Sequence, residues 1–186
     1  MKLIDILIRA AQLLGLEQDA DTLKSTTQET ESETCNKTNI KRLFELSKFS
    51  IQELCSNYLP VSNRTNITTT NSSFSLKDLT NYIRIQNVYE QNRLAKYKII
   101  NRNIVFEKDG EYTIEYFTYP NLTSMFDELD FITNFNPDVV VLGLCAYYCL
   151  AVGLFEEYQK FHDGYVEKAE SLKSLKVFAL PSRRWE

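Results

Sequence analysis

The strongest periodic signal in the chain lies in residues 136–172, NPDVVVLGLCAYYCLAVGLFEEYQKFHDGYVEKAESL. Asn136 can cap a helix there, Pro137 can occupy its first turn, and Asp138 suits its positive end. Gly164 costs a helix about 1 kcal/mol relative to alanine, which allows a bend. One long C-terminal helix is predicted, because its apolar stripe is spaced alternately by three and four. The stripe consists of Val141, Leu144, Tyr148, Ala151, Phe155, Tyr158, His162, Tyr165, Ala169 and Leu172.

Residues 139–155 of this stretch are also the one candidate for a membrane span. They are uncharged, and their length reaches the lower end of the about 17–25 residues that a span requires. Glycine, tyrosine and cysteine dilute their hydrophobicity, and no cluster of Lys or Arg flanks them closely. A deeply buried helix is therefore favoured over a span.

Two helices are predicted near the N-terminus. Apolar residues recur at helical spacing over residues 3–14, and Gly15 offers a natural stop. A second apolar stripe runs over residues 40–58 and must end before Pro60. The polar residues 25–39 between them are read as a flexible connection or as the solvated first turns of the second helix.

The middle of the chain, residues 61–119, changes from helical to alternating periodicity and is rich in β-branched and aromatic residues. Within it, Asp109-Gly110 predicts a tight hairpin between IVFE and YTIEYFTY. Asn101–Asn103 predicts a turn between KYKII and IVFE. The polar residues 62–73 fit either an exposed two-faced strand pair or a mobile loop.

Composition limits the classes of function. A chain of 186 residues with 44% hydrophobic content favours one domain with a sizeable core. Its net charge of -4 provides no basic field for gripping phosphate backbones. The four cysteines include no CxxC pair, and no signal peptide is visible, so a reducing compartment is expected. The five Asn-x-Ser/Thr sequons are therefore interpreted as accidental.

Catalytic chemistry has little support in the sequence. The single histidine, His162, lies on the apolar stripe, which favours a core or interface role. Cys145 and Cys149 share a helical face but lack further metal ligands nearby, so buried, unreactive thiols are expected. The acidic cluster at residues 127–130 is interpreted as a solvated, hydrogen-bonded loop. No phosphate-binding loop, nucleophile elbow or HExxH motif occurs. We therefore predict that the chain is not an enzyme and has no cofactor, metal or catalytic residue.

The order of elements resembles one known family. The chain opens with MKLIDILIRAAQLLGLEQDADTL, its second helix ends in SNYLP, and a β segment is inserted before LGLCAYYCLAVGLFEEYQKFHDGY and a final PSRRW. Together these resemble the head-to-tail connector and adaptor proteins of tailed bacteriophages, and the layout is similar to the tail tubular adaptors of short-tailed phages.

The resemblance implies a structural virion protein of the neck or tail, assembled in the cytoplasm of a bacterial host. Copies of such a protein form a ring, often of twelve, between the portal protein and the next tail or nozzle protein. DNA is packaged and ejected through this ring without sequence-specific binding, which the acidic balance suits. A soluble interaction module is the main alternative, and a small enzyme or a single-span membrane protein is less favoured.

The predicted fold class is α+β, as a single adaptor domain over residues 1–186. A bundle formed by the first two helices (1–59) and the long last helix (137–175) carries an antiparallel β-rich insertion (61–119) and an extended C-terminal arm (176–186). Aromatic residues of the stripe are expected to pack between subunits. The arm is expected to bind a neighbouring subunit or the portal, because Arg and Trp are enriched at binding hot spots. The subunit-packing residues are Tyr148, Phe155, Tyr158 and Tyr165, and the partner-binding residues are Arg183, Arg184 and Trp185.

Overall fold

The computed structural model describes residues 1–130 and 136–177, with side chains as far as residue 172. The chain mixes helices with antiparallel sheets, which confirms the predicted α+β class. It divides into two compact units. We call Met1–Leu59 with Leu122–Glu186 the helical unit, and Pro60–Asn121 the β unit.

Local sequence signals mark some of the helix ends in the helical unit. The helices are α1 (Leu3–Leu13), α2 (Glu17–Ser25), α3 (Glu31–Thr34), α4 (Thr38–Asn57), α5 (Asp138–Val152) and α6 (Phe155–Val177). The predicted stop after α1 is confirmed, since Gly15 has a φ of 70° and its N–H donates to the carbonyl of Gln12 at 3.1 Å. The predicted end of the second helix, α4, is also confirmed, three residues before Pro60.

The segment between α1 and α4 contains more structure than was predicted. Helix α2 was missed because only Ala20 and Leu23 of its residues are buried, too few for a visible stripe. Within residues 25–39 the chain forms the short helix α3, and only Thr38 and Asn39 belong to the first turn of α4. The Glu31 carboxylate of α3 accepts hydrogen bonds from the Met125 N–H at 2.6 Å and the Ser124 hydroxyl at 2.8 Å. This polar segment is therefore held by long-range contacts.

The prediction of one long C-terminal helix is wrong. Helix α5 ends before Gly153, whose φ of 81° is left-handed, and α6 begins two residues after this glycine. The Leu154 N–H donates to the carbonyl of Cys149 at 2.9 Å, as at a glycine-terminated helix end. The apolar stripe continues across this break, so periodicity alone could not reveal it. Gly164, where a bend was allowed, lies inside α6.

Helix α5 is the centre of the helical core. It packs against α1, α4 and α6, and most of its residues are buried, as the preference for a buried helix predicted. Fully buried side chains on α1 and α4 include Leu3, Ile6, Leu7, Leu43, Ile51 and Leu54. In the described part of the chain, no helix is both long and apolar enough to cross a membrane.

The β unit consists of two antiparallel sheets. Its strands are β1 (Val61–Thr69), β2 (Ser73–Ser75), β3 (Tyr82–Glu90), β4 (Arg93–Leu94), β5 (Tyr97–Ile100), β6 (Asn103–Phe106) and β7 (Gly110–Thr118). The strand orders are β1-β7-β3-β4 and β2-β6-β5. Of the two alternatives predicted for residues 62–73, a strand pair or a mobile loop, most of the segment forms a strand, β1. This strand pairs with β7, which lies outside the segment.

Two-residue turns without glycine connect several strands. The predicted turn between β5 and β6 is confirmed, and its central residues Asn101 and Arg102 both have positive φ, as in a type I′ hairpin. Gln91-Asn92 connects β3 to β4 with the same signs of φ, and Asn71-Ser72 lies between β1 and β2. Asparagine tolerates this conformation better than most residues, which accounts for its frequency in the turns.

The predicted hairpin at Asp109-Gly110 is wrong. Strand β6 pairs with β2 and β5, whereas β7 pairs with β1 and β3, so the dipeptide connects two sheets. Neither residue has a positive φ. The Asp109 carboxylate instead accepts hydrogen bonds from the backbone N–H and hydroxyl of Ser72, and the first of these bonds is the main cause of its lowered pKa. Turn chemistry alone could not distinguish a crossover from a hairpin.

Both sheets contribute to one apolar core in the β unit. Ile114 on the central strand β7 is fully buried, and the rings of Phe106 and Tyr112 stack with centroids 3.9 Å apart. The core comprises Ile67, Leu76, Leu79, Val88, Ile104, Phe106, Tyr112, Ile114 and Tyr116. All of these residues belong to the β unit, which therefore has a core of its own.

Candidate functional site on the hairpin of α5 and α6

Helices α5 and α6 form an antiparallel hairpin. Near its open end, the Lys168 ammonium lies 3.4 Å from the Asp138 carboxylate. Asn136, the predicted cap, uses its side-chain oxygen to accept the Asp138 N–H at 3.0 Å. At the closed end the chain reverses over Gly153 and Leu154. The residues that reverse the chain are thereby placed together at one end of the helical unit.

Apolar side chains are concentrated at this reversal and remain exposed. Phe155 at the start of α6 is 68% exposed, and its neighbours are also more than one third exposed. We call Leu150, Val152, Leu154 and Phe155 the apolar tip. Single exposed apolar residues are ordinary, but a run of them around one turn is typical of a surface that contacts another molecule. The apolar tip is therefore the candidate interaction surface.

The four residues predicted to pack between subunits lie in different environments. Tyr148 and Tyr165 are only 6% and 2% exposed, because their own chain covers them. Tyr158 is half-buried, and Phe155 belongs to the apolar tip. Since a single chain has no neighbour to contact, subunit packing stays a prediction. Of these four residues, Phe155 alone has a largely exposed side chain that another subunit could contact.

The buried thiols have the chemistry expected of core residues. Burial raises the pKa of Cys145 to about 12, and it raises the pKa of Cys149 in the same direction. The Cys145 thiol donates a weak hydrogen bond to the Ala10 carbonyl at 3.8 Å. Within the described residues no three His, Cys, Asp or Glu side chains are grouped to hold a metal ion. The prediction that both thiols are buried is confirmed, and a pKa raised by burial is typical of structural rather than reactive cysteines.

Asp127 of the acidic cluster before α5 stabilises the loop that carries it. The Asp127 carboxylate accepts the backbone N–H groups of Thr123 at 2.7 Å and Ser124 at 2.9 Å. Glu128 lies in an isolated bridge with Lys2. The Asp127 contacts agree with the interpretation of a hydrogen-bonded loop, and they explain why an acidic residue occurs at that position.

Residues 176 and 177 of the predicted arm belong to α6, while Arg183, Arg184 and Trp185 lie outside the described residues.

Sequence reasoning missed Glu53 on α4, which accepts a 2.8 Å hydrogen bond from the Tyr147 hydroxyl and lines a cavity with His162. The available signal was a carboxylate set beside the apolar stripe of α4.

The sequence matches no protein-family model, and no curated protein matches it closely enough to indicate a relationship. Its function must therefore be inferred from its own residues.

Proposed function

We propose that this chain is a structural assembly subunit, and specifically a head-to-tail adaptor that forms a ring between the portal and tail of a tailed bacteriophage. The observation that carries the proposal is the apolar tip. Exposed apolar residues at a helical turn provide the desolvated centre of a protein interface, and the acidic residues Glu156 and Glu157 beside them provide a polar rim.

The order of elements supports the finer part of the proposal. In this chain the helical unit is interrupted by a β unit, and this is the layout that the resemblance to phage adaptors implies. The net charge of -4 suits a ring through which DNA passes without being held. In this proposal a neighbouring copy of the chain covers the apolar tip, and the portal and the next tail protein are the other partners.

The gene's surroundings give the first test. Genes for structural virion proteins that act together are expected beside this one, namely those for portal, capsid and tail proteins. Such neighbours would identify the heads needed for the assembly experiments below. A location among unrelated metabolic genes would count against the phage adaptor.

Phe155→Asp is expected to reduce attachment of the protein to portal-containing heads by roughly tenfold or more, because neighbouring copies that no longer contact one another lose the ring that holds them on the portal. The substitution places a charge at the centre of the proposed interface, where loss of one anchor costs about 2 kcal/mol or more. It should leave the subunit folded, because Phe155 is exposed and an acidic residue is favourable in the first turn of α6. The measurement is co-sedimentation of purified protein with heads that lack the adaptor.

The matched control is Phe49→Asp, which removes a phenylalanine of similar exposure, 58%, from α4. It should attach as the unmodified protein does. Equal attachment of both variants and the unmodified protein would exclude the apolar tip as an interface.

Deletion of Val177 to Glu186 is expected to abolish attachment if the arm binds a partner as predicted. Arg183 and Arg184 would pair with carboxylates, and Trp185 would bury apolar area, together contributing about a few kcal/mol per copy. Circular dichroism of the truncated protein would check that its helices remain. Attachment at the unmodified level would show that the arm is dispensable.

A further inference from the structure

A cavity of about 160 Å³ lies between α4, α5 and α6, and no residue of the apolar tip lines it. Polar and aromatic groups dominate its wall. The lining residues are Glu53, Gly143, Ala146, Tyr147, Tyr158, His162 and Tyr165. Pockets for drug-sized ligands occupy about 300–1,000 Å³, so this cavity has room only for a small group.

Glu53 gives the cavity its negative charge. One carboxylate oxygen accepts the Tyr147 hydroxyl at 2.8 Å. Burial and this hydrogen bond raise the pKa of Tyr147 to about 12, so the phenol stays protonated as the donor at neutral pH. No Lys or Arg among the described side chains forms an ion pair with Glu53. The carboxylate therefore has capacity for a cationic partner.

Tyr165 contributes a hydroxyl that has no hydrogen-bond partner although the residue is 2% exposed. A buried, unsatisfied hydroxyl costs about 1–3 kcal/mol, and native structures rarely retain one without a use. Its oxygen can accept an N–H from a group placed in the cavity. Burial and the nearby Glu53 carboxylate raise the pKa of Tyr165, so its hydroxyl and that carboxylate face the same space and together suit a ligand with N–H donors.

Aromatic rings supply the remaining wall. His162 lies between two tyrosines, with ring centroids 5.2 Å from Tyr158 and 6.5 Å from Tyr165. Tyr58 meets the Tyr165 ring edge-on at 6.0 Å and supports it. The negative faces of tyrosine rings attract cations, most strongly where water is excluded. A carboxylate combined with several aromatic rings is the chemistry that recognises alkylated or planar organic cations.

We propose that this cavity binds a small organic cation, an alkylammonium or guanidinium group, presented either by a free molecule or by a Lys or Arg side chain. Glu53 neutralises the charge, the Tyr165 hydroxyl accepts an N–H, and the rings of Tyr147 and Tyr158 contact the alkyl or planar part. An anion is disfavoured by Glu53, and a metal ion by the single carboxylate in the wall. The proposal does not depend on ring assembly.

The test is an NMR titration of the full-length, ¹⁵N-labelled chain with methylguanidinium chloride and with butylammonium chloride. Methylurea and butanol are the neutral counterparts, and the chloride concentration is held constant. Both cations should produce saturable shifts in the signals of residues that line the cavity, and the neutral molecules should not. Equal shifts from cations and neutral counterparts, or no saturable shift, would show that the cavity holds only water.

Two variants locate the binding. Glu53→Gln keeps an oxygen for the Tyr147 hydroxyl but removes the charge, and should lower the affinity for both cations by roughly tenfold or more. Tyr165→Phe removes only the unpaired hydroxyl and should lower affinity severalfold. The control Glu45→Gln removes an exposed carboxylate of the same helix, which pairs with Lys48, and should leave affinity unchanged. Unchanged affinity in Glu53→Gln would overturn the proposal.

A third variant distinguishes the two sources of the cation. Arg183→Gln combined with Arg184→Gln leaves every lining residue in place. If an arginine of this chain or of another copy is the natural occupant, the affinity for free methylguanidinium should rise in this variant. If a free cation is the ligand, the affinity should stay the same and Glu53→Gln should still weaken it. A rise in affinity assigns the site to one of these arginines, and unchanged affinity excludes them as the occupant.

Discussion

Ile114→Ala is expected to lower the free energy of unfolding of the β unit by about 2–5 kcal/mol, the usual cost of truncating a buried isoleucine. Ile114 is fully buried on the central strand β7, where it pairs with Thr65 of β1 and Val88 of β3. Its loss removes contacts from two interstrand interfaces at once and leaves a cavity that neighbouring strands cannot fill.

Residue-resolved hydrogen exchange is the measurement, because it shows where protection is lost. Protection should fall across β1, β3 and β7, since the core of the β unit contains only its own residues. The control Ile99→Ala truncates an isoleucine of the same unit that is 52% exposed, and should change stability by less than about 0.5 kcal/mol. A loss of protection spread evenly over α1, α4 and α5 as well would contradict this expectation.

Gly143→Ala is expected to destabilise the helical unit by about 1–3 kcal/mol, although alanine normally stabilises a helix interior. A Cβ atom at this position would lie 2.5 Å from the Ser50 hydroxyl oxygen and 3.1 Å from two atoms of the Tyr165 ring. The serine hydroxyl can rotate aside. The ring cannot move as easily, because it is buried and meets Tyr58 edge-on.

Gly164→Ala provides the matched control on the facing helix. Its Cβ would meet only a Leu142 methyl group, at an ordinary 3.5 Å. Removing backbone freedom there should stabilise the helical unit by about 0.5–1 kcal/mol. Urea unfolding followed by circular dichroism at the helical wavelength measures both variants. The two alanines should therefore change stability in opposite directions, and equal effects would show that α4, α5 and α6 are packed less closely than described.

Much of the local structure could be predicted because its causes are local. Gly15 ends α1, Asn136 caps the start of α5, and Asn101 permits the tight turn between β5 and β6. Each of these residues acts on backbone groups within a few positions along the chain. The α+β class was likewise predictable, since helical and alternating periodicities occupy separate stretches of sequence.

Sequence reasoning failed where two arrangements satisfy the same local pattern. The apolar stripe over residues 141–172 fits one long helix, and it equally fits two helices folded together at Gly153. The dipeptide Asp109-Gly110 fits a hairpin, and it equally fits a crossover between sheets. Gly153 is a local signal for the break between α5 and α6 that the periodic pattern outweighed, whereas no nearby residue records the crossover at Asp109-Gly110.

By itself, the sequence determined the kinds of elements, the ends of α1 and α4, the start of α5, the acidic balance and the lack of a recognised catalytic motif. The tertiary structure alone decided the partners of β7, the reversal that exposes Phe155, and the meeting of Glu53 with Tyr147 and Tyr165. Glu53 and Tyr147 are 94 positions apart in the sequence. Only the packing of α4 against the α5–α6 hairpin brings that carboxylate to its phenol, because side chains so distant in sequence meet through the burial of the helices that carry them.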